Sequence, residues 1–138
     1  MFKKLSPNLM VNNVQETVKY YIEILEFDFV MGVVNESNEI IMENGYDKNL
    51  IYALVKTSNI ELMFQERNSL ANDVSSFAEQ NPNATMTLYF EVEDVDALYD
   101  KIKNKVKIIK DINTTWYNMR EFYISDPNGY ILTFATQK

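Results

Sequence analysis

The chain has 138 residues, no cysteine and no histidine, and carries 20 acidic against 13 basic side chains for a net charge of −7. That length buries about two-thirds of its unfolded surface, so one domain folds without disulfides, and thiolate metal sites are excluded. The acidic balance argues against a nucleic-acid partner, which needs a basic patch, and favours a cationic ligand. The missing histidines remove the commonest metal ligand and the usual general base at neutral pH.

Met1-Phe2-Lys3-Lys4 is followed by no apolar stretch, and no run approaches the roughly 18 apolar residues of a membrane span. A soluble, cytoplasmic protein without membrane contact is expected. Leu5 to Val11 reads as a strand with Leu9 and Val11 on one face and Ser6, Asn8 and Met10 on the other. Pro7 places an unpaired position in it. Asn13 with Glu16 three residues on forms an N-cap signature, and Val14, Val18, Tyr21, Ile22 and Leu25 recur at helical spacing. Strands are expected at Phe27 to Asn35, Leu50 to Thr57 and Ile60 to Glu66, with a polar loop containing Asn44-Gly45 between the first two. The first module therefore reads β-α-β-β-β over residues 5–66.

Residues 67–84 form a connection, with a short helix expected at Ser69 to Gln80 and a stop at Asn81-Pro82-Asn83. The order then repeats over residues 85–137. Thr85 to Val92 is a strand, Asp94 to Lys103 a helix, Val106 to Ile112 a strand. Two alternating runs flank Asp126-Pro127-Asn128-Gly129 and form a β-hairpin in which the Asp126 carboxylate can bond the turn amides. Val11-Asn12-Asn13-Val14 lies over Val92-Glu93-Asp94-Val95, and Ile60-Glu61-Leu62-Met63-Phe64 over Ile131-Leu132-Thr133-Phe134. Such self-similarity argues for two duplicated modules in a single α+β domain.

Strand alternation separates two faces. Leu9/Val11, Leu62/Phe64, Leu88/Phe90/Val92 and Leu132/Phe134 should pack under the helices. The opposite series carries Ser6, Asn8, Met10, Glu61, Met63, Gln65, Thr87, Tyr89, Glu91, Glu121, Tyr123, Thr133 and Ala135. Arg120, beside Glu121, reads as a structural ion-pair partner.

The string from Trp116 through Arg120-Glu121-Phe122 to Asp126-Pro127-Asn128-Gly129, with the duplication, resembles the vicinal oxygen chelate superfamily of glyoxalases, bleomycin-resistance proteins and dioxygenases. Within it, the string resembles the bleomycin-resistance-like branch. The resemblance implies a curved, cup-shaped mixed sheet with helices outside, a ligand cavity inside, and a homodimer. Metal-dependent members hold their metal at positions that correspond here to Ser6, Glu61, Thr87 and Thr133, of which only Glu61 is a ligating carboxylate. No metal and no cofactor are therefore expected. The candidate ligand site comprises Trp116, Tyr89 and Tyr123 as flat surfaces, Met10 and Met63 as adaptable filler, Glu61, Glu91 and Glu121 as countercharge, and Thr133 on the same face. Trp116 matches an aromatic that in this branch helps form the ligand groove, although Thr115 and Tyr117 replace the Pro and Gly that often flank it. The leading expectation is a metal-free binder of a small aromatic, cationic molecule, similar to antibiotic-sequestering proteins. The alternatives are a metal-independent lyase- or isomerase-like enzyme using a Glu or Tyr as acid or base, and a metabolite-binding module.

Overall fold

A computed structural model describes residues 1–43 and 47–138; the expected Asn44-Gly45 loop lies outside the described residues. Contacts separate the chain into two compact units, Met1–Pro82 and Asn83–Lys138.

The first unit runs β1 (Asn8–Val11), α1 (Val14–Glu23), β2 (Asp28–Val34), the two-residue β3 (Ile40–Ile41), β4 (Leu50–Thr57), β5 (Ile60–Glu66) and α2 (Arg67–Asp73). The second runs β6 (Thr87–Glu91), α3 (Val95–Ile102), β7 (Lys107–Thr114), β8 (Met119–Ser125) and β9 (Ile131–Gln137). The sheet orders are β1-β5-β4-β2-β3 and β6-β9-β8-β7, so without β3 the two are the same. In each, the first strand lies parallel to the last and the other pairs are antiparallel. The fold class is α+β with two mixed sheets, as the repeated pattern requires.

Local chemistry sets the element ends. Asn13 Oδ1 accepts from Glu16 N at 2.9 Å and Asp94 Oδ1 from Ala97 N at 3.1 Å, so the same position caps both module helices. β1 begins later than its apolar pattern because Pro7 has no N–H to give; its carbonyl still accepts from Met63 N at 2.8 Å. In the hairpin turn, Asp126 Oδ1 accepts from Asn128 N at 2.8 Å and Tyr130 N at 2.9 Å, while Gly129 takes the left-handed φ of 89°.

The helix expected at residues 69–80 is two pieces. Glu66 caps the backbone N–H groups of Asn68 and Ser69, which starts α2 at Arg67. Val74 is extended and ends it, and a single 3₁₀ turn follows at Ser75–Phe77. The Arg67 guanidinium donates to the carbonyls of Ala78 at 2.6 Å and Gln80 at 2.7 Å, folding the segment back on itself.

Beneath α1, Tyr21 packs on Phe64 and Phe27 at ring separations of 4.9 and 5.7 Å, over buried Val11, Val55 and Leu62. In the second unit Phe122 and Phe134 (5.3 Å) meet Tyr99 of α3 (5.1 Å from Phe122) and Phe90 (5.4 Å from Phe134). Arg120 fixes that helix to β8 through Asp96, at 3.0 Å from the guanidinium Nη2. The opposite faces are also shielded in part: Met10, Gln65, Glu121, Thr133 and Ala135 are all buried.

Candidate ligand site: a buried carboxylate among tyrosines

β8 alternates, so Glu121 and Tyr123 share the face turned away from Phe122 and α3. Register does the rest. Thr133 of β9 pairs with Tyr123 on one side and Tyr89 on the other, while Ala135 pairs with Glu121 and Glu91. Two rows result, Tyr89–Thr133–Tyr123 and Glu91–Ala135–Glu121, on strands about 4.8 Å apart. Ala135, the smallest side chain of the patch, lies between the two carboxylates.

Glu121 is fully buried. Its Oε1 accepts from the Tyr117 hydroxyl at 2.6 Å and from the Tyr123 hydroxyl at 3.5 Å. Tyr89 also bonds the Glu121 carboxylate and Thr133 bonds Tyr123, both loosely: neither Glu121 Oε2 nor the fully buried Thr133 Oγ1 has a close, well-aligned partner among the described residues. Tyr117 was absent from the expected site. It arrives there because the β7–β8 turn closes at Thr115–Asn118: Asn118 N donates to Thr115 O at 3.1 Å, and Asn118 takes a φ of 67°. Tyr117 and Glu121 are four positions apart, but only this turn brings the phenol back over the strand.

The charge of Glu121 is felt by all three phenols. Tyr117 is raised above the ordinary tyrosine value, first by its hydrogen bond to Glu121. Tyr123 and Tyr89 are raised first by burial and then by the Glu121 charge. The three hydroxyls therefore stay protonated and donate at neutral pH, which disfavours them as general bases. Lys110, paired with Tyr123 in the ladder, holds its ammonium 5.6 Å from that ring's centroid.

Of the remaining expected residues, Trp116 stands at the tip of the same turn, 94% exposed, with its ring edge-on to Tyr117 at 5.2 Å. Glu91 is exposed on β6. Glu61, Met10 and Met63 belong to the five-stranded sheet of the first unit. There Glu61 Oε2 meets the Lys4 ammonium at 2.6 Å and accepts from Ser6 Oγ at 3.2 Å. The hydrogen bond from Lys4 is the main reason its carboxyl is held below the usual range. Met63 is half-buried and Met10 buried. The first unit also has an open polar cleft of about 470 Å³ lined by Asn35, Glu66, Asn68, Ser69 and Asp73. It lies beside α2, away from the strand positions expected to bind, and Glu66 and Asp73 already accept hydrogen bonds there, Asp73 from Gln65 at 2.7 Å.

The donor set at the four positions that carry the metal elsewhere does not fit one. In the first unit the Glu61 carboxylate already holds an ammonium, and Ser6 offers a neutral hydroxyl. In the second, Thr87 and Thr133 again offer neutral hydroxyls, whereas zinc-class ions take imidazole, thiolate or carboxylate ligands. No cluster of three or more acidic residues with metal-binding spacing occurs among the described residues.

Residues 5–134 match the model of the Glyoxalase/Bleomycin resistance protein/Dioxygenase superfamily, and the chain belongs to that superfamily. An uncharacterized protein of Bacillus subtilis (strain 168), YraH, is 29% identical over 103 residues, covering 75% of this chain and 72% of the relative. A solved protein of unknown function from Agrobacterium tumefaciens str. C58 is similar over 100% of this chain and 96% of its own, with a TM-score of 0.74 at 20% identity. The bleomycin-binding protein of bleomycin-producing Streptomyces verticillus, solved with copper(II)-bleomycin, is similar over 100% and 98% with a TM-score of 0.62 at 18% identity. At these identities the two structures share the fold with this chain.

Proposed function

We propose that this protein binds a small, planar cation without the help of a metal, as an antibiotic-sequestering member of its superfamily does. The observation that carries the reading is Glu121: a fully buried carboxylate enclosed by Tyr89, Tyr117 and Tyr123, with no close, well-aligned donor on one of its oxygens. An anion held in this way is costly until a cation reaches it, and aromatic faces add cation–π attraction. Trp116, exposed beside Tyr117, supplies a stacking surface at the rim. Similarity in fold to a bleomycin-binding protein makes cationic glycopeptide antibiotics the first ligands to try.

A thermal-shift screen with such antibiotics and with planar cationic dyes tests this, because a ligand that binds only the folded state raises the melting temperature. For any hit, Trp116→Ala should weaken binding by about 2 kcal/mol, as loss of an aromatic anchor does. Glu91→Gln should weaken it chiefly at low ionic strength, Glu91 being exposed, while the effect of Glu121→Gln should persist in salt. Unchanged affinity in both Trp116→Ala and Glu121→Gln, with the circular dichroism intact, would refute the site.

A further inference from the structure

We infer that the open cleft beside α2, in the first unit, is a ligand site in its own right and takes a polyhydroxylated ammonium ion, an amino sugar above all. The cleft holds about 470 Å³, within the range of about 300–1,000 Å³ usual for small-molecule sites. Its wall is polar apart from the half-buried Ile51, so its occupant must hydrogen-bond over most of its surface. The lining groups differ in what their neighbours have left unused. Asn35 Oδ1 accepts from Glu36 N at 3.0 Å and Asn68 Oδ1 from Arg67 Nη1 at 2.9 Å, so both amides keep their NH₂ groups as donors. Glu66 accepts from Asn68 N and Ser69 N, and Asp73 Oδ2 accepts from Gln65 Nε2 at 2.7 Å. A carboxylate has about four lone-pair sites, so both keep acceptor capacity.

The two carboxylates are fixed and lack a counter-ion. Glu66 is held by the first turn of α2, and Asp73 by the buried Gln65, whose own oxygen accepts from Asn8 Nδ2 at 2.9 Å. No lysine or arginine lines the cleft among the described residues, and Arg67, next to Glu66 in the chain, gives its guanidinium to the carbonyls of Ala78 and Gln80 instead. Each class of ligand meets this set of groups differently. An anion is repelled by the two carboxylates. An alkylammonium balances the charge but offers the Asn35 and Asn68 amides nothing to accept. A neutral sugar gives and takes at its hydroxyls but leaves the charge uncompensated. An amino sugar does both: its ammonium donates to Asp73 or Glu66 in charge-assisted bonds, its hydroxyls accept from the amides, and the C–H face of its ring covers Ile51.

Glucosamine, glucose and cyclohexylammonium share a six-membered ring and divide these features among them. Each is titrated into the full chain at about pH 6, where the amines are charged, and followed by the NMR shifts of backbone and side-chain amides. Glucosamine should bind at least about fivefold more tightly than either of the others, because each of them lacks hydrogen bonds that it makes. The largest shifts should fall on the side-chain NH₂ signals of Asn35 and Asn68 and on the amides of α2. Asp73→Asn should bring glucosamine towards the affinity of glucose and leave glucose itself unchanged. The comparison of the three probes on the unsubstituted protein stands even if that variant folds poorly. Equal affinity for glucosamine and glucose would overturn the inference, as would shifts confined to residues outside the cleft, or no binding of glucosamine at tens of millimolar.

Discussion

Replacing Glu121 by glutamine separates the stability of the free protein from its capacity to bind. The carboxylate is fully buried, and Oε2 has no close, well-aligned partner among the described residues. An unsatisfied buried acceptor costs about 1–3 kcal/mol, and more when it is charged. Glutamine keeps an oxygen for the Tyr117 hydroxyl, now 2.6 Å from Oε1, and removes the buried charge. Weakening the Tyr117 bond from charge-assisted to neutral gives back about 1 kcal/mol. The net expectation is a gain of about 1–2 kcal/mol, which for a chain of this size raises the melting temperature by about 4 °C per kcal/mol. Urea unfolding at pH 7 should show the midpoint moved upward with an unchanged m-value. A variant less stable than the parent by about 1 kcal/mol or more would mean that the carboxylate is satisfied in the free protein, and would remove the reason to assign it to a ligand.

Asp126→Ala removes a buried acceptor of two backbone N–H bonds and should cost about 3 kcal/mol at about 1.5 for each charge-assisted bond, read as a fall in the urea midpoint; a loss under about 1 would contradict the turn geometry. Gly129→Ala meets open space, so only its φ of 89° opposes it, and about 1–2 kcal/mol should be lost. Arg120→Ala should act through pH. The hydrogen bond from Arg120 holds Asp96 below the ordinary aspartate value. A depressed carboxylate contributes in full above its unfolded value of about 3.9 and loses that contribution as pH falls through the folded value. The stability gap between parent and Arg120→Ala should therefore be wide at pH 6 and closed at about pH 2, and a gap of the same size at both would refute the pairing.

Much of this was legible along the chain, for reasons of short range. Period-two alternation marked Leu62, Phe64, Leu132 and Phe134 as the faces beneath the helices. Asn13 and Asp94 announced their caps because an N-cap is decided within four residues, and Asp126 announced its turn for the same reason. Arg120 read correctly as an ion-pair partner, although its partner, 24 residues back on α3, was not identifiable. The strand positions of Tyr89, Glu91, Glu121, Tyr123 and Thr133 placed them on one face before any register was known.

What tertiary structure alone decided was which of these residues meet, and at what burial. Alternation assigns a side chain to a face but not to a neighbour; the neighbour follows from register and sheet order, which turns and long-range pairing set. Thus Tyr117 reaches Glu121 only through the left-handed Asn118, and Arg67 breaks the expected helix by binding carbonyls 11 and 13 residues away. Glu61 and Glu121 look alike in sequence, each on an alternating strand. Glu61 meets the Lys4 ammonium and a serine, whereas Glu121 is enclosed by phenols. The side chains that close over each, and not the strand pattern they share, determine which carboxylate meets an ammonium and which meets phenols.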